Sequence, residues 1–252
     1  MKLTNLGQCG FLFDFGSFRL VTDPYLSDYI DACHAGTDDP WVRNYPPISP
    51  LIDLRPDLVL ISHSHDDHMD PWTLTRYREA GGDCAIAAPA PECGFLEKAG
   101  FSHIIYARAE QAFSMGGVNV TPIICAHTEP HVDAQGRFRE LSYLIEADGL
   151  KFLFGGDLSI YDGLAERVAR EKVGFAILPC NGRDEERAAR NIIGNTDAEE
   201  AARLAKVWNC SLIPSHYDLY DGNGCPPEKI RRAADEAGAR LIMPAPNTTI
   251  EL

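Results

Sequence analysis

Residues 61–70 read ISHSHDDHMD and crowd His63, His65, Asp67 and His68 directly behind the apolar run Leu58-Val59-Leu60. His63 and His65 are two apart, so in a chain leaving an extended strand over residues 57–62 they project to the same side. Asp67 and His68 follow where the chain must turn towards a helix. Asp70-Pro71 supplies the start of that helix, an N-cap followed by a proline at the first helical position. The turn lets Asp67 and His68 point back into the same pocket. Polar residues after a strand ordinarily solvate a loop, and a lone histidine would be read that way. H-x-H-x-D-H immediately behind an apolar strand is more specific and marks a metal or catalytic site. Imidazole and carboxylate donors suit Zn, Mn or Fe, and the lack of thiolates in the motif disfavours a structural zinc knot of the cysteine type.

One short loop cannot surround two ions, so further donors must come from elsewhere in the chain. His127 follows the apolar residues 120–126, Asp157 follows Phe152-Leu153-Phe154-Gly155-Gly156, and His216 follows Leu212-Ile213-Pro214-Ser215. Each stands just past an apolar run, and strand ends are where α/β architectures gather their site residues. His131, four residues beyond His127, competes with it as a ligand. His127 is preferred because it lies nearer the strand end.

The 252 residues, 45% hydrophobic and 24% charged, suit one large globular domain or two tightly fused halves. A net charge of -14 argues against nucleic-acid binding through the overall field, which needs clustered Lys and Arg. The opening MKLTNLGQCGFLFDFG has no continuous apolar h-region, and no run approaches the roughly 18 apolar residues of a spanning helix. A cytoplasmic protein without a membrane partner is therefore expected. Eight cysteines without a C-x-x-C pair read as reduced, mostly buried residues rather than a disulfide framework.

Short apolar runs at residues 11–13, 18–21, 58–61, 85–87, 118–120 and 141–145 predict strands, as do 175–178, 212–213 and 241–242. Helices are predicted from Asp70 to Gly81, over 164–170 with Asp162 as cap, over 201–208 behind a Thr196-x-x-Glu199 capping box, and from Pro226-Pro227 to Gly238. This order fits two sheets packed together with helices outside them. The proline-rich residues 39–56 read as an irregular excursion.

In order, His63, His65, Asp67, His68, His127, Asp157 and His216 resemble the ligand pattern of the metallo-β-lactamase-fold hydrolases. The resemblance implies an α/β (α+β) fold, a four-layer αββα sandwich. It implies a single domain over 1–252 with two pseudo-symmetric αβ halves dividing near 140–150. It also implies a site for one or two divalent ions at the sandwich edge. His63, His65 and His127 would hold the first ion, Asp67, His68 and His216 the second, and Asp157 would lie between them. Asp23, in Val21-Thr22-Asp23-Pro24-Tyr25, matches the family's early aspartate, which supports the ligands from behind. One departure is Leu158-Ser159 after Asp157, where the family commonly places Thr or Ser directly.

Further stretches look like the L-ascorbate-6-phosphate lactonase branch of that family: Asp23-Pro24-Tyr25-Leu26-Ser27-Asp28, Tyr161-Asp162-Gly163-Leu164, Pro179-Cys180-Asn181-Gly182-Arg183-Asp184, Asn191-Ile192-Ile193-Gly194-Asn195 and His216-Tyr217-Asp218. The similarity runs from about residue 6 to residue 246.

A bound divalent ion lowers the pKa of its water from about 15.7 to roughly 7, so the expected enzyme is a hydrolase. Attack on a carbonyl would open a sugar lactone or phosphorylated sugar lactone, with Asp67, Asp157 or a water delivering a proton to the alkoxide. A small-molecule or nucleic-acid phosphodiesterase on the same site is the second reading. A non-catalytic ligand-binding pseudoenzyme is the third, and seven intact ligand positions count against it.

The segment around Asn181 is the expected substrate reader. On a helix Arg183, Arg187 and Arg190 would line one side, suited to a phosphate or sugar acid, or else would pair with Asp184, Glu185 and Glu186 as a solvated face. On the resemblance, Asn181 and Arg183 belong to the pocket. Tyr217 and Asp218 would orient substrate or hold the His216 imidazole, or simply pack. Packing is also the preferred reading for Trp41, Tyr45 and Trp72. The expected partner is a small anionic molecule, and nothing opposes self-association into a homo-oligomer.

Overall fold

The apolar run behind the histidine motif becomes β4 (Leu58–Leu60), and its alternation builds two cores at once. Leu58 and Leu60 face a core shared with Leu3, Phe13 and Leu20, while Val59 and Ile61 face one shared with Leu74, Tyr77 and Leu96. A strand buried on both faces belongs inside a sandwich, as the period of two requires.

The computed structural model describes residues 1–252. The first part of the chain runs β1 (Lys2–Gly7), β2 (Gly10–Asp14), β3 (Arg19–Thr22), α1 (Tyr29–His34), α2 (Leu51–Leu54), β4, α3 (Pro71–Glu79), β5 (Ala85–Pro89), α4 (Gly94–Lys98) and β6 (Ile104–Ala107). The second part runs β7 (Phe113–Met115), β8 (Val118–Ile124), β9 (Leu141–Ala147), β10 (Leu150–Phe154), α5 (Leu164–Ala169), β11 (Phe175–Pro179), α6 (Glu185–Ala189), α7 (Ala198–Val207), β12 (Ser211–Ser215), α8 (Pro227–Ala237), β13 (Arg240–Leu241) and β14 (Thr249–Glu251).

These strands form two seven-stranded sheets, ordered β14-β1-β2-β3-β4-β5-β6 and β13-β12-β11-β10-β9-β8-β7. Strands β3 to β6 are parallel, as are β10 to β13, while β1–β2–β3 and β7 to β10 are antiparallel. The sheets meet through Phe13, Phe152 and Phe175, whose rings stack at 4.8 Å and 4.5 Å between centroids. Such aromatic burial carries a large share of the inter-sheet stabilisation. Outside the first sheet, Leu74, Tyr77 and Leu96 of α3 and α4 cover Val59 and Ile86. Outside the second, Ala201, Leu204 and Ala205 of α7 and Ile230 of α8 cover Leu178 and Leu212. The result is the four-layer αββα sandwich, a mixed α/β fold. No helix is long and apolar enough to cross a membrane.

Several local expectations shift. The sheets change over between β6 and β7, at residues 107–113, rather than near 140–150, because β8 and β9 pair as neighbours inside the second sheet. The last strand, β14, returns to pair with β1 and completes the first sheet. The capping box sits one residue later than Thr196-x-x-Glu199, between Asp197 and Glu200. Thr196 is unavailable because its hydroxyl donates to the Pro179 carbonyl at 2.7 Å. Helix α5 starts behind Gly163 at φ 91° without a side-chain cap, so Asp162 does not serve there. The helix from Asp70 forms as read, with the Asp70 carboxylate accepting from the Trp72 amide at 3.0 Å. Helix α8 ends at Gly238, whose φ of 64° is the left-handed stop that favours glycine.

Candidate metal centre

Five strand ends converge on one edge of the sandwich. Asp23 follows β3, residues 63–68 follow β4, His127 follows β8, Asp157 follows β10 and His216 follows β12. Within the first loop, the amides of His68 and Met69 both donate to the His65 carbonyl, at 2.9 Å and 2.8 Å. That tight turn swings Asp67 and His68 back beside His63. The Asp70 carboxylate anchors the turn by also accepting from the Ser27 hydroxyl at 2.9 Å. On the opposing strand end, Gly156 has a φ of 62°, and a Cβ there would stand 2.6 Å from the Ser62 Cβ. Only glycine lets the Asp157 loop approach this closely.

Two donor groups result. His63, His65, His127 and Asp157 place one ligand atom each within 4.8 Å of one another, and so do Asp67, His68 and His216. Asp157 lies between the groups: its Oδ2 is 4.0 Å from His63 Nε2, 3.7 Å from His127 Nε2 and 3.5 Å from His216 Nε2, and its Oδ1 is 3.2 Å from His68 Nε2. Asp67 Oδ2 is 3.2 Å from His216 Nε2 and 3.6 Å from His68 Nε2. Donors that each sit about 2.0–2.2 Å from one tetrahedral ion are roughly 3.3–3.6 Å apart, close to these separations.

The hydrogen bonding prepares the imidazoles for a metal. Asp23 Oδ2 accepts from His68 Nδ1 at 2.6 Å and from the Ser62 hydroxyl at 2.6 Å, and Asp23 Oδ1 accepts from the Ser62 amide at 2.7 Å. Ser62 Oγ in turn lies 2.9 Å from His63 Nδ1. With Nδ1 engaged on both rings, Nε2 of each is left as the lone-pair donor. His63 Nε2 and His68 Nε2 are buried and have no hydrogen-bond partner. Orphaned ring nitrogens are costly in a protein interior, and a cation is the occupant that satisfies them together with Asp67 and Asp157. The donor set fits a divalent ion.

The electrostatics agree. Burial pushes the His63 imidazolium well below the usual histidine range, and burial likewise drives His127 down to about 4, so both rings are neutral donors. Burial opposes the charged form of His68 as well, but Asp157, Asp67 and Asp23 outweigh it and push that ring well above the ordinary value. His216 follows the same pattern, with Asp157 and Asp67 overcoming burial. Against their own burial, neighbouring imidazoles hold both Asp67 and Asp157 below the carboxylate range. The centre thus gathers the negative charge of Asp67 and Asp157 among buried imidazoles, a field suited to a cation.

Two contributors have no place in the motif reading. The Gln8 amide nitrogen donates to Asp67 Oδ2 at 2.7 Å and lies 3.1 Å from His216 Nε2, and its backbone carbonyl accepts from the His216 amide at 2.9 Å. Cys9 Sγ lies 3.8 Å from Asp157 Oδ1, and burial raises its thiol well above the ordinary range, so it stays protonated. The signal was the polar residue in Gly7-Gln8-Cys9-Gly10, caught in a tight turn between two apolar strands, with φ of 89° at Gly7 and 52° at Gln8.

The centre opens into a cleft of about 590 Å³ whose inner end is formed by His127, Asp157 and His216 and whose outer walls include Ile30, Trp41, Arg190 and Ile193. His65 is exposed, whereas His63, His68, His127, Asp157 and His216 are buried. The proposed arginine row dissolves, because α6 spans only Glu185–Ala189 and leaves Arg183 and Arg190 outside it. Arg183 turns to α7 and donates to both Glu200 carboxylate oxygens at 2.6 Å. Arg187 pairs with Asp184 and donates to the Gly224 carbonyl at 2.7 Å. Of the three, only Arg190 lines the cleft.

Asn181 is buried, donating to Asn223 at 2.9 Å and accepting from Asn195 at 3.1 Å. Tyr217 packs into the core of the second sheet, and Asp218 accepts from the Tyr45 hydroxyl at 2.9 Å. None of Asn181, Arg183, Tyr217 and Asp218 is part of the cleft lining; Asn223, which Asn181 holds, is. Burial raises the Asp218 carboxyl above its ordinary range. His131 lies 3.2 Å from Glu140 and outside the cleft. Ser159, past the departure at Leu158, donates its amide to the Ala126 carbonyl at 2.7 Å and so ties the Asp157 loop to the His127 loop.

Residues 2–214 match the model of the β-lactamase superfamily domain. A UPF0173 metal-dependent hydrolase of Exiguobacterium sp. is 26% identical over 256 residues, covering 100% of both chains. Among solved structures, Igni18, a metallo hydrolase from the archaeon Ignicoccus hospitalis, superposes with a TM-score of 0.74 at 19% identity, covering 100% of this chain and 98% of that one. An isothiocyanate hydrolase from Delia radicum gut bacteria superposes at 0.78 with 17% identity, covering 100% and 99%. With its two facing sheets, its outer helices and its shared donor groups at the strand ends, the chain belongs to the β-lactamase superfamily and has the metallo-β-lactamase fold.

Proposed function

We propose that the protein is a metal-dependent hydrolase that attacks a carbonyl centre, with the ring opening of a lactone as its reaction. The observation that carries this reading is the pair of donor groups sharing Asp157 at the inner end of a cleft. His63, His65 and His127 would hold one ion and Asp67, His68 and His216 a second, with Zn or Mn suited to such donors. A divalent ion there brings the pKa of its water to roughly 7 and polarises a carbonyl oxygen.

The chain's own residues do the rest. Asp157 keeps the two groups in register, and exposed His65 marks the side from which substrate arrives. Asp67 faces the cleft with Oδ2 held by Gln8. With an ion bound, Asp67 or Asp157 would take the proton of the attacking water and pass it to the leaving alkoxide. The small-molecule character of the substrate is supported by the size of the cleft. A carbonyl substrate is favoured over a phosphodiester because Asp39 and Asp66 line the cleft as well and disfavour a second anion. Eight unpaired cysteines suit a reducing, cytoplasmic setting.

The test is a hydrolysis panel on metal-loaded protein: neutral sugar lactones, phosphorylated lactones and a generic phosphodiester, with His65→Ala as the control. Turnover of lactones that His65→Ala abolishes supports the reading. Turnover of the phosphodiester alone overturns it.

A further inference from the structure

We propose that the outer half of the cleft receives a neutral, apolar or aromatic group of the substrate and disfavours a phosphate or carboxylate there. This rests on the hydrolase reading of the same cleft and adds the class of substrate to it.

The single Arg or Lys in the cleft lining is Arg190. One edge of its guanidinium is already occupied. Nε and Nη2 donate to the two oxygens of Asp39, at 3.1 Å and 2.7 Å, a fork that satisfies the edge Arg would turn to a substrate anion. Nη1 lies so close to Gly222 that a Cβ there would stand 2.8 Å away. The planar face lies 5.9 Å from the Trp41 ring centroid. Arg190 and Asp39 are 151 residues apart, and their pair joins the loop after α1 to the segment after α6. Its role is to hold the Trp41 wall in place.

An exposed pair of this kind is weak and could be exchanged for another anion. What opposes the exchange is the surrounding charge. Asp39 and Asp66 both line the cleft, and neither belongs to a donor group that a metal would neutralise. A substrate phosphate displacing Asp39 would leave that carboxylate unpaired beside it, and like charges brought together act as a repulsive selector. Ile30, Trp41, Ile192 and Ile193, the last 45% exposed, form the apolar part of the wall, beside the uncharged side chains of Ser64, Asn191 and Asn223 and the imidazole of His34. Water leaves such a surface readily when an alkyl or aryl group covers it.

Two probes sharing one lactone ring test this on the metal-loaded protein, one carrying an aryl group and the other a phosphate at the same position. The aryl probe is expected to have a kcat/KM about tenfold or more higher, with the difference mostly in KM, as uniform binding would produce. Asp39→Asn frees Arg190 and is expected to raise kcat/KM for the phosphorylated probe severalfold, while Trp41→Ala lowers it for the aryl probe. Calorimetric binding of the two matching cyclic ethers, which cannot be hydrolysed, separates this proposal from the hydrolase reading. Tighter binding of the aryl ether with no turnover of either lactone sinks the hydrolase reading and leaves the selectivity standing. Equal binding, tighter binding of the phosphorylated ether, or no binding of either overturns the proposal.

Discussion

His68 Nδ1 stands 2.6 Å from Asp23 Oδ2, and both side chains are fully buried. This contact fixes the ring's tautomer, presents Nε2 to the centre and ties the loop after β4 to the end of β3. A partner behind a ligating histidine commonly contributes about 10–100-fold in metal affinity. Asp23→Asn keeps the shape but offers an amide where a carboxylate accepted, so metal affinity should fall by that factor in competition with a chromophoric chelator. Unchanged affinity would show that Asp23 is only a packing residue.

Gln8 reaches Asp67 Oδ2 and His216 Nε2, and neither His63 nor His65. Gln8→Ala should therefore weaken one metal step by about tenfold and spare the other, the scale of a lost supporting contact. Stepwise metal titration followed by calorimetry resolves the two steps. An equal loss in both would contradict the assignment of Gln8 to the Asp67, His68 and His216 group.

Gly156 combines a φ of 62° with a Ser62 Cβ 2.6 Å from where its own Cβ would be. Gly156→Ala should cost about 1–3 kcal/mol in chemical denaturation, since the strain of a left-handed Ala adds to overpacking. The displaced Ser62 would carry Asp23 with it, so metal affinity should fall in the same variant.

Glu200 closes the α7 capping box and accepts both Arg183 nitrogens at 2.6 Å. Burial pushes its carboxyl up, but Arg183 and the Asp197 amide outweigh burial and hold it below the ordinary value. A depressed folded-state pKa gives stability that is present above the unfolded value of about 4.3 and lost as pH falls through the folded value. Glu200→Gln should therefore cost about 1 kcal/mol near neutral pH, a figure kept small because Arg183 is half-exposed. The gap from the wild-type chain should close below about pH 4 in denaturant titrations.

The inner shell of the centre was legible because its signals are local. Four of the candidate ligands share one turn behind β4, and His127, Asp157 and His216 each follow a largely buried apolar strand. The two-sheet architecture was legible for the same reason. What escaped the sequence depends on contacts between distant residues. The arginine spacing suggested a helical row, but Asp39 claims Arg190 from 151 residues away and Glu200 claims Arg183 from 17. Gln8 enters the centre only because the β1–β2 turn meets the end of β12, a contact across 208 residues. The division of the sheets was misplaced because pairing within an antiparallel meander is decided by neighbours, and β14 closes on β1 from the far end of the chain.

Lactone opening measured against bound metal tests the central claim most directly. Protein stripped by a chelator and reloaded with Zn or Mn in steps should gain turnover in proportion to the metal it retains, with none in the stripped state and none at any loading in Asp157→Asn. Lactone turnover that is the same in stripped and loaded protein would contradict the account.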